Sequence, residues 1–234
     1  MCLFALHLSA KTYLVSVGIA DYSKFPSSVN NLELTVKDAQ AMVDLLSANR
    51  SMDYSILKDT LATKRNILRY IRGVFKKAAE DDIIIFFFSG HGYDGGICAC
   101  DGRMTYAEVR EAMSRSRCKN KIMFIDACHA GGLRGNANHA SSSEVTSAKK
   151  ANVMLFLSSR TNENSLERRN MDNGYFTTYL KAGLSGEADA NKDNVITAKE
   201  IFTYVSDGVR TLSLEKQHPV MWGNFSDDMP VMKW

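Results

Sequence analysis

No apolar run in the 234 residues approaches the roughly 20 that a helix needs to cross a bilayer, so the sequence predicts no membrane span. Charge of one sign is equally scarce. Lysine and arginine number 29 against 26 aspartates and glutamates, and the balance of +3 is spread along the chain. No basic stripe is available to neutralise phosphates, which argues against nucleic acid as a partner. Cysteine is too thin for a disulfide framework: there are five (Cys2, Cys98, Cys100, Cys118, Cys128), an odd number in a chain long enough to fold without staples. What is abundant is apolar residue, 45% of the chain, enough for a sizeable core in one globular domain. The opening MCLFALHLSA has two readings, the back half of a secretory signal ending at Ala10 or a short first strand. The first leaves a single domain over 11–234 and a secreted or periplasmic protein; the second leaves a cytoplasmic one.

Apolar, β-rich runs alternate with amphipathic stretches. TYLVSVGI (12–19) is followed by VKDAQAMVDLLSAN (36–49), whose apolar spacing of three and four is helical. The alternation continues through YSILKD (54–59), the amphipathic KRNILRYIRGVFKKAAE (64–80), DIIIFFFSG (82–90), TYAEVREAMSRS (105–116), NKIMFIDAC (120–128) and NVMLFLSS (152–159). Strands that are apolar throughout are buried on both faces. The pattern therefore predicts an α/β fold, a mostly parallel sheet of about six strands with helices on both faces. Catalytic groups in such sheets gather at the carboxyl ends of the strands.

Two of those ends carry chemistry. One strand runs out into SGHG (89–92) and another into DACHAGG (126–132), so His91 and Cys128 are expected along one edge of the sheet. A thiol with an ordinary pKa near 8.5 becomes a nucleophile when an adjacent imidazole favours its thiolate. Gly92 permits a tight turn that aims its N–H at a developing oxyanion, and the N–H of Cys128 offers a second donor.

A strand ending in SGHG followed by one ending in DACHAGG resembles the caspase-fold cysteine peptidases, most closely the metacaspase-like and bacterial caspase-like members, over most of the chain. The resemblance implies a caspase-like three-layer sandwich and a Cys128–His91 dyad that requires no cofactor. It also implies an oxyanion hole at Gly92 and Cys128, and protein or peptide substrates. The dyad residues are closer in sequence than the roughly 50 residues usual in caspases, which implies a trimmed intervening region. Ala127 and Ala130 stand where metacaspases commonly carry serine. Two positions before the nucleophile, caspases have glutamine and cut after aspartate; this chain has Asp126, a carboxylate suited to a cationic side chain. Asp38 matches a second acidic position lining the same pocket in metacaspase-like enzymes, and the pair implies Arg or Lys at P1. Read alone, Asp38 is also a first-turn carboxylate favoured by the helix dipole. The polar stretch RGNANHASSSEVTSAKKA (134–151) resembles the family's processed linker, with Arg134, Lys149 and Lys150 as candidate self-cleavage sites.

Other readings stay open. CHAGGLR (128–134) fits C-x5-R, the spacing of a cysteine phosphatase loop, but the polar GNANHASSSEV after it is a poor helix start and SGHG goes unexplained. A caspase fold serving as a binding module, its dyad unused, is the third class. His129 is read as a local contact, and Cys98 and Cys100 in ICAC as core thiols rather than a zinc pair. Finally, DANKDNVITAKE (189–200) places Asp189, Asn191, Asp193, the carbonyl of Val195, Thr197 and Glu200 at the calcium-binding positions of an EF-hand loop. Asn194 replaces the usual glycine at position six, and asparagine tolerates the left-handed backbone required there. Thr197 and Glu200 equally form a T-x-x-E capping box that needs no ion.

Overall fold

The six residues Ile83–Phe88 alternate between two cores. Ile84, Phe86 and Phe88 face one apolar cluster and Ile83, Ile85 and Phe87 the other, and none is more than 1% exposed. That is the burial expected of a central strand with helices on either side. The computed structural model describes residues 10–27, 29–48, 52–128, 153–160, 163, 165 and 171–234, with Cys128 placed by its main chain alone. The first nine residues, which carry the two readings of the N-terminus, lie outside the described set.

In chain order the elements are β1 (Thr12–Gly18), α1 (Thr35–Ser47), β2 (Met52–Lys58), α2 (Lys64–Phe75), β3 (Ile83–Tyr93), β4 (Gly96–Ala99), β5 (Gly102–Thr105), α3 (Tyr106–Ser114) and β6 (Asn120–Cys128). They continue with β7 (Val153–Leu157), α4 (Tyr175–Ala182), β8 (Val195–Thr197), α5 (Ala198–Leu212), β9 (Val220–Trp222) and β10 (Pro230–Lys233). Six strands form the main sheet in the order β2-β1-β3-β6-β7-β9, all parallel except β9, which runs antiparallel to β7. A β4–β5 hairpin hangs from the end of β3, and β8 pairs with β10 in a separate two-stranded ribbon.

One face of the sheet packs Ile67, Ile71 and Phe75 of α2 with Val109 and Met113 of α3. The other packs Met42 and Leu46 of α1, Phe176 and Leu180 of α4, and Ile201, Val205 and Val209 of α5. Local signals set the helix starts: the Thr63 hydroxyl accepts from the Asn66 N–H, and capping boxes at Thr105/Glu108 and Thr197/Glu200 open α3 and α5. The stretch read as helical to residue 80 stops at Phe75, and the Asp82 carboxylate takes the Ala79 N–H (2.7 Å) as the chain turns into β3. Because α1 and α2 cover opposite faces, the order β2-β1-β3 opens a crevice between the carboxyl ends of β1 and β3. A switch point of this kind is where α/β sheets bind and react.

Candidate active site

Strands β3 and β6 pair in parallel from Ile83↔Asn120 to the last pair, His91↔Cys128. Adjacent paired strands lie about 4.8 Å apart, so the sheet itself brings the two positions side by side. The expected strand end at Gly90 is overrun: β3 continues to Tyr93 by exchanging its partner β1 for β4, with Gly92↔Ile97 and Tyr93↔Gly96. Gly92 is therefore extended strand, not the tight turn expected from its sequence. The reversal falls at Gly95, whose φ of +88° is the left-handed backbone that glycine tolerates.

His91 is half-buried and held by the loop between β1 and α1. Its Nε2 lies 2.6 Å from the carbonyl oxygen of Asn30. A carbonyl only accepts, so Nε2 carries the hydrogen and Nδ1 is the nitrogen left for exchange in the neutral ring. The Tyr22 ring lies against the imidazole, centroids 4.7 Å apart and tilted by 56°, and the Tyr22 hydroxyl accepts from the His91 main-chain N–H (2.8 Å).

Beneath this edge, Asp38 of α1 and Asp126 of β6 converge, 1% and 6% exposed. Asp38 Oδ2 accepts from the hydroxyl of Ser89 (2.8 Å), and Oδ1 from Asn173 Nδ2 (2.8 Å) and the Gly174 N–H (3.2 Å). Asp126 Oδ1 accepts from Ser165 (2.9 Å), and Oδ2 from the Thr177 hydroxyl (2.7 Å) and N–H (3.2 Å). Both carboxylates meet at Gly174, where a Cβ would stand 3.0 Å from Asp126 Oδ2 and 3.7 Å from Asp38 Oδ2. Burial, and then the neighbouring Asp126 charge, push the Asp38 carboxyl up to about 7 against the hydrogen bonds that favour its anion. Burial raises Asp126 as well. Two desolvated carboxyls of like charge favour keeping a proton near neutrality.

The structure thus gathers His91, the main chain of Cys128, Asp38 and Asp126 at one end of the sheet, and Asp38 turns its carboxylate away from its own helix. Sequence reading missed Tyr22, Asn30, Ser165, Asn173 and Thr177. Ser89, by contrast, lies inside the quoted SGHG, one position short of recognition as a donor. Cys98 and Cys100 are buried free thiols in the core, and burial pushes the Cys98 thiol up to about 11. His129, Arg134, Lys149 and Lys150, and with them the C-x5-R loop and the candidate processing segment, lie outside the described residues.

The acidic loop 189–200 stands apart. Asp189 accepts from the N–H groups of Asp193 (3.2 Å) and Asn194 (3.0 Å), Asn191 from that of Asp193 (3.0 Å), and Asp193 from that of Val195 (2.8 Å). Asn194 has the expected left-handed φ, +66°. Glu200 closes the capping box on Thr197 with one oxygen and takes the Ala190 N–H (3.2 Å) with the other. Among the described residues no group of three His, Cys, Asp or Glu side chains is gathered to hold a metal, and no helix is long and apolar enough to cross a membrane.

A mostly parallel sheet sandwiched by helices, with a histidine and a cysteine position paired at the ends of its two central strands, defines the class of caspase-like α/β folds. The caspase-domain model of peptidase family C14 matches residues 15–229, and the chain belongs to that family. The fold is similar to the crystal structure of protein GSU0716 from Geobacter sulfurreducens, with a TM-score of 0.68 and 17% identity over 92% of this chain and 94% of that one. No curated protein matches in sequence.

Proposed function

We propose that the chain is a cysteine endopeptidase that cleaves after Arg or Lys, with Cys128 as nucleophile and His91 as acid and base. The observation that carries the reading is the His91↔Cys128 register pair. In this scheme the Cys128 thiolate attacks the P1 carbonyl carbon, and the imidazolium gives its proton to the departing amine. A water molecule, deprotonated by the same ring, then releases the acyl group and the thiolate. The N–H groups of Gly92 and Cys128 are assigned to the oxyanion. In this reading Asp38 and Asp126 form the floor of the P1 pocket, where a guanidinium or ammonium would favour the ionised carboxylates and displace a bound proton. Self-cleavage in 134–151, at Arg134, Lys149 or Lys150, completes the proposal.

Amidase turnover and thiol alkylation are to be measured for the wild type, Cys128→Ala and His91→Ala on a panel of Arg, Lys, Leu and Asp peptides. Loss of turnover in both variants, and cleavage confined to Arg and Lys, is the expected result. Near-wild-type turnover in either variant removes the dyad. A folded wild type that cleaves nothing in the panel points to a binding module. Intact masses of wild type and Cys128→Ala after storage test self-processing: identical masses mean none.

A further inference from the structure

The geometry points to Tyr22 as a positioning residue for the acid/base histidine, an inference that rests on the dyad reading above. Tyr22 is 2% exposed and lies in the β1–α1 loop, far in sequence from both motifs. Its hydroxyl has two partners whose roles admit one arrangement: the His91 amide can only donate to it (2.8 Å), and the Cys98 carbonyl can only accept from it (3.1 Å). The single phenolic hydrogen therefore points to β4, and one lone pair holds the main chain of β3 at the histidine itself. Because β4 also pairs with Gly92 and Tyr93, the same hydroxyl ties the hairpin to the peptide N–H of His91, one residue before that pairing begins.

Strand β3 is shaped to admit this hydroxyl. A Cβ on Gly90 would stand 2.5 Å from Tyr22 Oη and 2.7 Å from the Phe88 ring, so the first glycine of SGHG makes room for the tyrosine. The loop is fastened in turn. Asp59 Oδ1 accepts from the N–H groups of Ala20 (2.8 Å) and Asp21 (2.9 Å), and Asn31 Oδ1 from that of Tyr22 (2.9 Å). Asn30, one residue earlier than Asn31, offers its carbonyl to the imidazole. One loop thus grips His91 by its main chain through Tyr22 and by its ring through Asn30, with the Tyr22 ring lying on the imidazole between them. Burial pushes the Tyr22 phenol well above its ordinary value, so it remains a neutral hydrogen-bonding group.

The test is Tyr22→Phe, which keeps the ring and removes the hydroxyl, against Tyr13→Phe as control. Tyr13 makes the same kind of bond, hydroxyl to a main-chain carbonyl (Lys77, 3.4 Å), on β1 toward the other end of the sheet. Tyr22→Phe should lower kcat by about 10- to 100-fold with KM little changed, as a small misplacement of a reacting group does. Its pH–rate profile should shift on the acid limb, and Tyr13→Phe should retain wild-type kcat and profile. Equal kcat in the two variants overturns the inference. Should Tyr22→Phe fail to fold, Asn31→Ala releases the Tyr22 main chain with the hydroxyl intact; unchanged kcat there overturns it as well. Histidine side-chain NMR reads the same geometry without substrate: His91 should be the Nε2–H tautomer in the wild type, and its ring resonances should shift in Tyr22→Phe and not in Tyr13→Phe; unchanged His91 resonances in Tyr22→Phe count against the role. Turnover surviving in Cys128→Ala would instead remove the dyad reading itself, whatever Tyr22 does.

Discussion

Two groups of acidic residues in this chain look alike in sequence and behave in opposite ways. Asp38 and Asp126 come from elements far apart in the chain, are almost wholly buried, and repel one another. The acids of 189–200 come from one short loop, are exposed (Asp193) or only partly buried (Asp189, Glu200), and bind backbone N–H groups nearby. Burial makes the difference: desolvation and like charge destabilise the anions of the first group, whereas water and local donors accommodate the second. The buried pair is costly to hold, whereas the hydrogen bonds of the loop acids close a turn and a helix cap.

The comparison breaks first at the buried pair. Asp126→Asn should lower kcat/KM on Arg peptides by about 100-fold or more, within the roughly 2–5 kcal/mol typical of losing one member of a desolvated charge pair. Kinetics on an Arg and Leu peptide pair checks it, and an equal loss on both would mean that the carboxylate does not read P1.

Stability should move the other way. A carboxyl whose folded pKa is about 7, against an ordinary 3.8, binds its proton more tightly in the folded state. Its stabilising contribution is complete below about pH 4 and lost as pH rises through about 7. Asp38→Asn can keep an oxygen toward Asn173 and Gly174 and an NH2 toward the Ser89 hydroxyl, so it should gain on the order of 1–3 kcal/mol over the wild type at pH 8 and much less at pH 5. Urea unfolding at the two pH values decides it, and a uniform loss of stability would contradict the raised pKa.

A gentler test leaves the sequence intact. The preference for Arg over a neutral P1 such as Gln should strengthen as pH rises through about 7, because the pocket must give up its proton to receive a cation. A ratio of kcat/KM values that is flat between pH 6 and 8 would detach the pair from P1 recognition. The smallest effect belongs to the exposed loop. Thr197→Ala should cost about 1 kcal/mol, the usual value of a helix cap, with or without calcium. Calorimetry of chelator-treated wild type and Asp189→Ala at millimolar calcium sharpens the contrast. A rise in melting temperature that Asp189→Ala abolishes would add an ion to what the capping box explains, and no rise leaves the box sufficient.

Local chemistry by itself determined much of this protein. Apolar, β-branched and aromatic runs such as IIIFFF and IMFI, bounded by turn residues, favour strands buried on both faces, and such strands require helices above and below, so the layered α/β fold and the placing of His91 and Cys128 just beyond those runs are properties of the sequence. The same holds for the caps at Thr63, Thr105 and Thr197, which act within one turn. Tertiary structure alone decided the register that opposes His91 to Cys128, the meeting of Asp38 with Asp126 at Gly174, the extension of β3 past Gly92, and the reach of Tyr22 and Asn30 across the crevice. Nothing in DYSKF or in VNN announces a histidine cradle, because each bond joins residues dozens of positions apart. Such bonds form only when the two cores have brought β1 and β3 together, and burial in that assembled fold then raises the pKa of Asp38 and Asp126.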